Sequence, residues 1–214
     1  LDPKKIAIKL KDIFLNKIAD FSDIEIAGPG FLNIKLSKSA LSNHINSILK
    51  NEKIYGSYLS NSTYNIEFVS ANPTGPMHVG HCRGAIYGDV LANLLKFNGN
   101  KVTKEYYIND YGNQIKNFVE SVYHRIIEIK YKKEFPKKEN LYPGIYIQDI
   151  AAKIIKNNNK EDFNDYDKNF EFLRKESLAA SMELIKKDLK LLGISHDNFF
   201  SETEIVNKDL VNKV

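Results

Sequence analysis

Cysteine is nearly absent from this 214-residue chain, which carries Cys82 alone. One thiol cannot close an internal disulfide, so the expected setting is a reducing one, the cytoplasm. No apolar run approaches the roughly 18–20 residues of a membrane span, and no membrane partner is expected. The start LDPKKIAIKLKDIF is amphipathic but broken by lysines, and does not read as a signal peptide. It begins with leucine where an initiating methionine would stand, so a piece of a longer polypeptide is expected. Neither sign of charge dominates. With 31 Lys and Arg against 27 Asp and Glu, the net charge of +4 permits a nucleic-acid partner without arguing for one. What is present, 43% hydrophobic and 27% charged residues, suits a globular protein with one large domain or two small ones.

The first sixty residues read as a small α+β unit. Residues 2–19 form a helix in which Asp2 suits the N-cap and Pro3 the first position, with Ile6, Leu10, Ile13, Phe14 and Ile18 on one face. DIEIA, the turn GPG and FLNIKLS then read as two strands; Leu32, Ile34 and Leu36 alternate with Asn33 and Lys35. Ser39 opens a second helix to Lys50, with Leu41, Ile45, Ile48 and Leu49 directed inward. Nine lysines against six acidic residues over 1–60 read as a solvated surface or, more sharply, as a patch facing tRNA. The polar stretch 51–62 is a linker.

From 61 onward the rhythm becomes strand, loop, helix, strand. Residues 64–70 are a strand, 71–77 a loop, and 78–98 a helix whose stripe is Ile86, Val90, Leu94 and Phe97, ended by Asn98 and Gly99. Residues 101–108 complete a βαβ crossover, which implies a parallel sheet with helices on its faces. NDYGNQ turns into a helix marked by Ile115, Phe118, Val119, Val122 and Ile126. An insertion over about 131–170, packed on the sheet, carries a helix at YIQDIAAKII between polar loops. A long helix over 170–192 follows, stopped by Gly193, and HDNFF opens another strand.

Chemistry concentrates at NPTGPMHVGH. A strand leading through a glycine-bearing loop into a helix start is where α/β sheets hold nucleotides. The first-turn amides of such a helix lack partners, and the helix dipole favours an anion there. Pro73 and Pro76 stiffen the approach and Gly75 lets the backbone come close; the Gly-Lys-Ser/Thr end of a Walker loop is missing. His78 and His81, three apart, point the same way and can each donate to phosphate, with Gly80 between them as a flat patch for an adenine ring. That pair suits in-line displacement at phosphorus, where positioning and charge stabilisation do the work. Two blander readings stand beside it. The histidines could be metal ligands, although no third ligand sits at a fitting spacing, or incidental surface residues. His44, His124 and His196 read as structural or solvated.

IEFVSANPTGPMHVGHCRGAIYGDVLANLLKFNG, followed by VTKEYYINDYGNQI, closely resembles the arginyl-tRNA synthetases, class I enzymes whose HIGH signature here reads HVGH. IAGPGFLNIKLS resembles the end of that family's additional N-terminal domain, LYPGIYIQDIA its insertion and LIKKDLKLLGISHDNFFSE the stretch beyond. The resemblance implies the first half of a class I Rossmann-like nucleotide fold over 61–214, preceded by the α+β domain over 1–60. It implies activation of L-arginine with ATP and Mg2+, then transfer to tRNA(Arg) by a monomeric parent enzyme. Glu67 would hold the guanidinium, Ser70 the α-amino group, and Asn72 the carboxylate or amino group. His78, Gly80 and His81 would take ATP, with Pro73 and Gly75 lining its approach and the two histidines acting in catalysis; no resident metal is expected. Asp110 and Gln114 could line the pocket, though a turn-and-cap role for Asn109, Asp110 and Gly112 explains them equally well. Arg83 could touch phosphate, and Cys82 is read as packing.

The departures are omissions. The family's Lys-Met-Ser-Lys loop, the second half of its nucleotide fold and its helical anticodon-binding domain are not among these residues. A fragment inactive by itself is therefore expected. The alternatives are a non-catalytic module binding tRNA or nucleotide, and another nucleotidyltransferase of the HxGH kind with a small substrate.

Overall fold

A computed structural model describes residues 2–58, 60–158, 162–210 and 212. The linker reading at 59 and the polar-loop reading at 159–161 lie outside them. The chain divides into two compact units, residues 1–57 and 58–214.

In the first unit Asp2 caps α1 (Pro3–Lys17), its carboxylate accepting from Lys4 N at 3.0 Å. β1 (Phe21–Ala27) and β2 (Phe31–Leu36) form an antiparallel hairpin that pairs Ile24 with Ile34 and Ile26 with Leu32. Its turn runs against α1. A Cβ on Gly30, at φ 142°, would stand 2.9 Å from the Pro3 carbonyl oxygen, so only glycine fits. α2 (Lys38–Lys50) is capped by Ser37, two residues ahead of the expected Ser39, because the Ser37 hydroxyl accepts from Ala40 N at 3.1 Å. Leu41, Ile45 and Leu49, expected inward, are exposed; Ala7 and Ile24 are the buried centre of this unit.

The second unit is built on a parallel sheet. β3 (Thr63–Glu67), α3 (Val79–Phe97), β4 (Lys101–Ile108), α4 (Asn113–Tyr131), α5 (Ile145–Asn157), α6 (Tyr166–Leu191), β5 (Asn198–Ser201) and α7 (Glu202–Asn207) follow in chain order. The strands lie in the order β3-β4-β5, all parallel, so their carboxyl ends share one edge of the sheet. Register aligns Glu67 with Glu105 and Ile108 with Ser201.

One face of the sheet carries Phe68, Tyr106 and Phe199, and packs with α3 and α6 through Ala85, Met182, Ile185 and Leu189. The other face carries Asn65, Glu67, Thr103, Glu105 and Tyr107, and the last three of these are partly buried. The buried stripe of α3 also differs from expectation. It is Ala85, Gly88 and Ala92, while Ile86, Val90, Leu94 and Phe97 are exposed. The cause is distance: a Cβ on Gly88 would lie 2.3 Å from the Phe68 ring, so the helix sits too close to admit branched side chains. Lys104, shut in beneath α3, pairs with Asp89 at 2.6 Å and donates to Asn93 at 3.0 Å.

A second buried cluster unites α4, α5 and α6. Ile115, Phe118, Val122 and Ile126 meet Ile147, Ile150 and Ile154, with Leu173 opposite. The inserted helix therefore packs against its helical neighbours where contact with the sheet was expected. α6 begins at Tyr166, before the expected Phe170, because Asp165 accepts from Lys168 N at 3.1 Å and caps it there. Gly193, at φ 72°, ends the helical run.

Candidate active site

The ladder of β3 ends early, at Glu67, because the backbone then folds back on itself. Ser70 N donates to the Phe68 carbonyl at 3.0 Å across Val69, whose φ is 69°. That is a γ-turn of the rare, strained kind, with a β-branched residue at its centre and Ser70 following at φ 39°. Each such residue costs on the order of 1–3 kcal/mol and persists only where its surroundings enforce it. The turn places Ser70 Oγ to donate to Glu67 Oε1 at 2.8 Å and accept from Tyr107 N at 3.0 Å. Glu67 is thereby held at the carboxyl edge of the sheet, where α/β folds receive ligands.

Four elements pin the loop that follows. Tyr106 donates to the Ala71 carbonyl at 2.8 Å from β4, and Asn72 donates to Gln114 Oε1 on α4 at 2.8 Å. Tyr146 of α5 donates to the Thr74 carbonyl at 3.0 Å, and Met77 N donates to Asp188 on α6 at 3.2 Å. Pro73 is buried; a Cβ on Gly75 would stand 3.0 Å from the Tyr146 ring, so its bareness admits that tyrosine.

His78 is the N-cap of α3. Its Nδ1 accepts from Gly80 N at 3.1 Å and His81 N at 3.4 Å, while His78 N donates to His81 Nδ1 at 3.3 Å. This reciprocal box occupies first-turn amides that the sequence suggested would be open to an anion. A ring whose Nδ1 accepts carries its proton on Nε2, so each neutral imidazole is left with an Nε2–H to offer. Gly80 is needed for the cap itself, since a Cβ there would lie 3.0 Å from His78 Cε1. Partial burial, then the charge of His78, holds the His81 imidazole below its ordinary pKa.

Asp110 joins the ends of neighbouring elements. Its carboxylate accepts from the Ser201 hydroxyl at 2.7 Å and Thr203 N at 2.9 Å, tying β5 and the start of α7 to the turn after β4. Arg174 reinforces that junction through the Asp110 carbonyl at 3.1 Å and Thr203 Oγ1 at 2.7 Å. Cys82 is partly buried and Arg83 exposed, both along the first turns of α3.

Three residues to which sequence reasoning assigned no part in the site belong to this region, His196 among them, which was read there as structural or solvated. Burial, then the charges of Glu202, Asp110 and Glu67, pushes the Tyr107 phenol above its ordinary range, so three carboxylates bear on one hydroxyl. Glu202 Oε2 is buried without a hydrogen-bond partner. His196 packs on Phe68 with ring centroids 4.2 Å apart and the rings tilted by 33°, and burial lowers its pKa. Position parity on the strand after the HVGH helix could have singled out Tyr107; nothing local marks the other two. Among the described residues no group of three or more His, Cys, Asp or Glu could hold a metal ion.

Comparison with known proteins agrees with this architecture. Residues 44–201 match the family described as tRNA synthetases class I (R), catalytic domain, and residues 1–36 match the arginyl tRNA synthetase N terminal domain. The arginine–tRNA ligase of Pelagibacter ubique is 48% identical over 214 residues, covering 99% of this chain and 37% of the relative. That of Rickettsia bellii is 41% identical over 218 residues, with the same two coverages. A Campylobacter jejuni structure described as an arginyl-tRNA synthetase superposes with a TM-score of 0.72 at 35% identity, covering 80% of this chain and 38% of that one. The fold and the family match define a class I aminoacyl-tRNA synthetase catalytic region. Within that class the chain belongs to the arginyl-tRNA synthetase family. It spans about 37% of the length of the curated relatives it matches.

Proposed function

We propose that the protein containing this chain is an arginine–tRNA ligase, which joins arginine to ATP as arginyl-adenylate and then transfers the arginyl group to tRNA(Arg). The observation that carries this reading is the clamped Glu67, one short pinned loop away from the stacked His78 and His81. A carboxylate fixed at a sheet edge pairs with a planar guanidinium through two parallel hydrogen bonds, a geometry lysine cannot supply. Glu202 and Asp110 add negative charge around Tyr107 and favour a cationic substrate side chain over a neutral one.

In the first step a carboxylate oxygen of arginine attacks the α-phosphorus of ATP, and pyrophosphate leaves with the bonding electron pair. Ser70 Oγ has a lone pair for the α-amino group, and Asn72 an amide for the amino acid's carboxylate or amino group. The two Nε2–H groups of His78 and His81 stabilise charge that grows on phosphate oxygens during in-line displacement. In the second step a ribose hydroxyl at the tRNA end attacks the arginyl carbonyl, and AMP leaves. Mg2+ would enter with ATP as part of the substrate; the described residues offer no cluster to hold it, and no step here runs through it. The reading keeps the monomeric, cytoplasmic parent enzyme expected from the sequence, with residues 1–60 as its tRNA-contacting unit.

Arginine-dependent pyrophosphate exchange in the full-length protein, with tRNA(Arg) present, tests the reading. Exchange with arginine but not lysine or citrulline is expected. Binding of tRNA without any exchange would favour a non-catalytic module. The 214-residue chain alone should stay at background, since it encodes no Lys-Met-Ser-Lys loop.

A further inference from the structure

We propose that His196 is a positioning residue for the arginine strand: from the connection between α6 and β5 it holds the strained turn at Val69 that aims Glu67, Ser70 and Asn72. The inference rests on the arginine-activating reading for its functional half alone.

The Phe68 carbonyl accepts two donors. Ser70 N closes the γ-turn at 3.0 Å, and His196 Nε2 reaches the same oxygen at 3.3 Å. The His196 ring also meets Tyr106 edge-on at 5.4 Å, and the Tyr106 hydroxyl holds the Ala71 carbonyl at 2.8 Å. Two touching rings thus grip the chain on either side of the turn, at residues 68 and 71. Phe68 itself is wedged between His196 and the bare backbone of Gly88. A glycine at 69 would adopt φ 69° without help, but valine does so only under constraint.

Packing alone does not explain a histidine at 196. Its Nδ1 is buried with no partner, a penalty that a phenylalanine filling the same space would avoid. What phenylalanine lacks is the Nε2–H. The donor, and hence the turn it secures, is what the imidazole adds to this core.

The test compares His196→Phe, Val69→Gly and the double variant in the full-length protein. His196→Phe keeps the ring contact with Phe68 and removes the donor. It should raise the arginine KM roughly two- to tenfold, as for one lost neutral hydrogen bond, and leave the ATP KM unchanged. Adding Val69→Gly should bring the arginine KM back towards wild type, because glycine needs no holding. An unchanged arginine KM in His196→Phe, or a rise in both KM values that Val69→Gly does not reverse, would overturn the proposal. Hydrogen exchange at the Ser70 amide reads the turn without reference to activity. Faster exchange in His196→Phe at unchanged Tm supports the holding role, and wild-type exchange excludes it. Wild-type protein that fails to activate arginine would sink the functional reading, while the amide measurement still decides whether His196 holds the turn.

Discussion

His78 and His81 stack with their ring centroids 3.7 Å apart and an interplanar angle of 16°, each accepting a main-chain N–H at Nδ1. The pair therefore does two things at once: it closes the start of α3 and sets the tautomer that leaves the proton on Nε2. These roles can be separated. His78→Asn keeps a good N-cap and removes the Nε2–H donor. Pyrophosphate exchange should fall on the order of 10²-fold while thermal stability holds. His78→Ala should lose the exchange and also about 1 kcal/mol of stability. Equal loss of stability in both variants, with exchange intact, would leave the pair with a capping role alone.

Glu67→Gln in the full-length protein should weaken arginine binding by about ten- to hundredfold. A charge-assisted pair to a guanidinium is worth roughly 1.5–3 kcal/mol, and the amide cannot supply it. ATP binding should stay near wild type, since Glu67 lies on β3 and the phosphate donors lie at the start of α3. Glu202→Gln should show a smaller effect of the same kind. Separate titrations of arginine and ATP check both, and unchanged constants would make these carboxylates scaffold.

Acid should soften the fold through its histidines. Burial is the first cause holding His81, His124 and His196 below their ordinary value of 6.5, opposed at His124 by the Glu120 carboxylate. Below about pH 6.5 the unfolded chain binds protons that the folded one refuses, so stability is full above that value. It then falls as pH drops through the lowered folded values. The lowered carboxylates Glu120, Asp162 and Glu183 act further down, from 4.5 or below. Urea midpoints followed from pH 8 to 5 should decline, and His196→Phe should flatten part of that decline. An identical slope in the variant would remove His196 from the account.

Lys104 and Asp89 form a shielded pair at 2.6 Å that ties β4 to α3. Asp89→Ala leaves a buried ammonium with Asn93 as its remaining acceptor among the described residues and should cost about 3–5 kcal/mol. Replacing both by apolar residues of similar volume should recover most of it. Denaturant midpoints decide; a mild effect from Asp89→Ala would mean the ammonium escapes to water.

Much of this protein follows from local chemistry. Asp2 before Pro3, Asn98 before Gly99 and Gly193 after Leu192 mark helix ends because capping and left-handed backbone depend on immediate neighbours. The strand–loop–helix rhythm around HVGH placed the start of α3 beyond the end of β3 for the same reason, since the period of apolar residues is a property of a short window. Periodicity could not say which stripe of α3 is buried. Ile86, Val90, Leu94 and Phe97 form the more apolar face, yet Gly88 is the residue that lets the helix reach Phe68. Nor could it reveal that Glu67 is aimed by a turn at Val69, because valine is among the residues least suited to that φ. The turn exists because His196, 128 positions away, donates to the carbonyl of Phe68, and because Tyr106 holds Ala71 across 35. Glu202 and Tyr107 join the site only when three parallel strands bring their carboxyl ends together. Local stereochemistry wrote the elements, and tertiary packing decided which strained conformations and unpaired charges those elements could be made to hold.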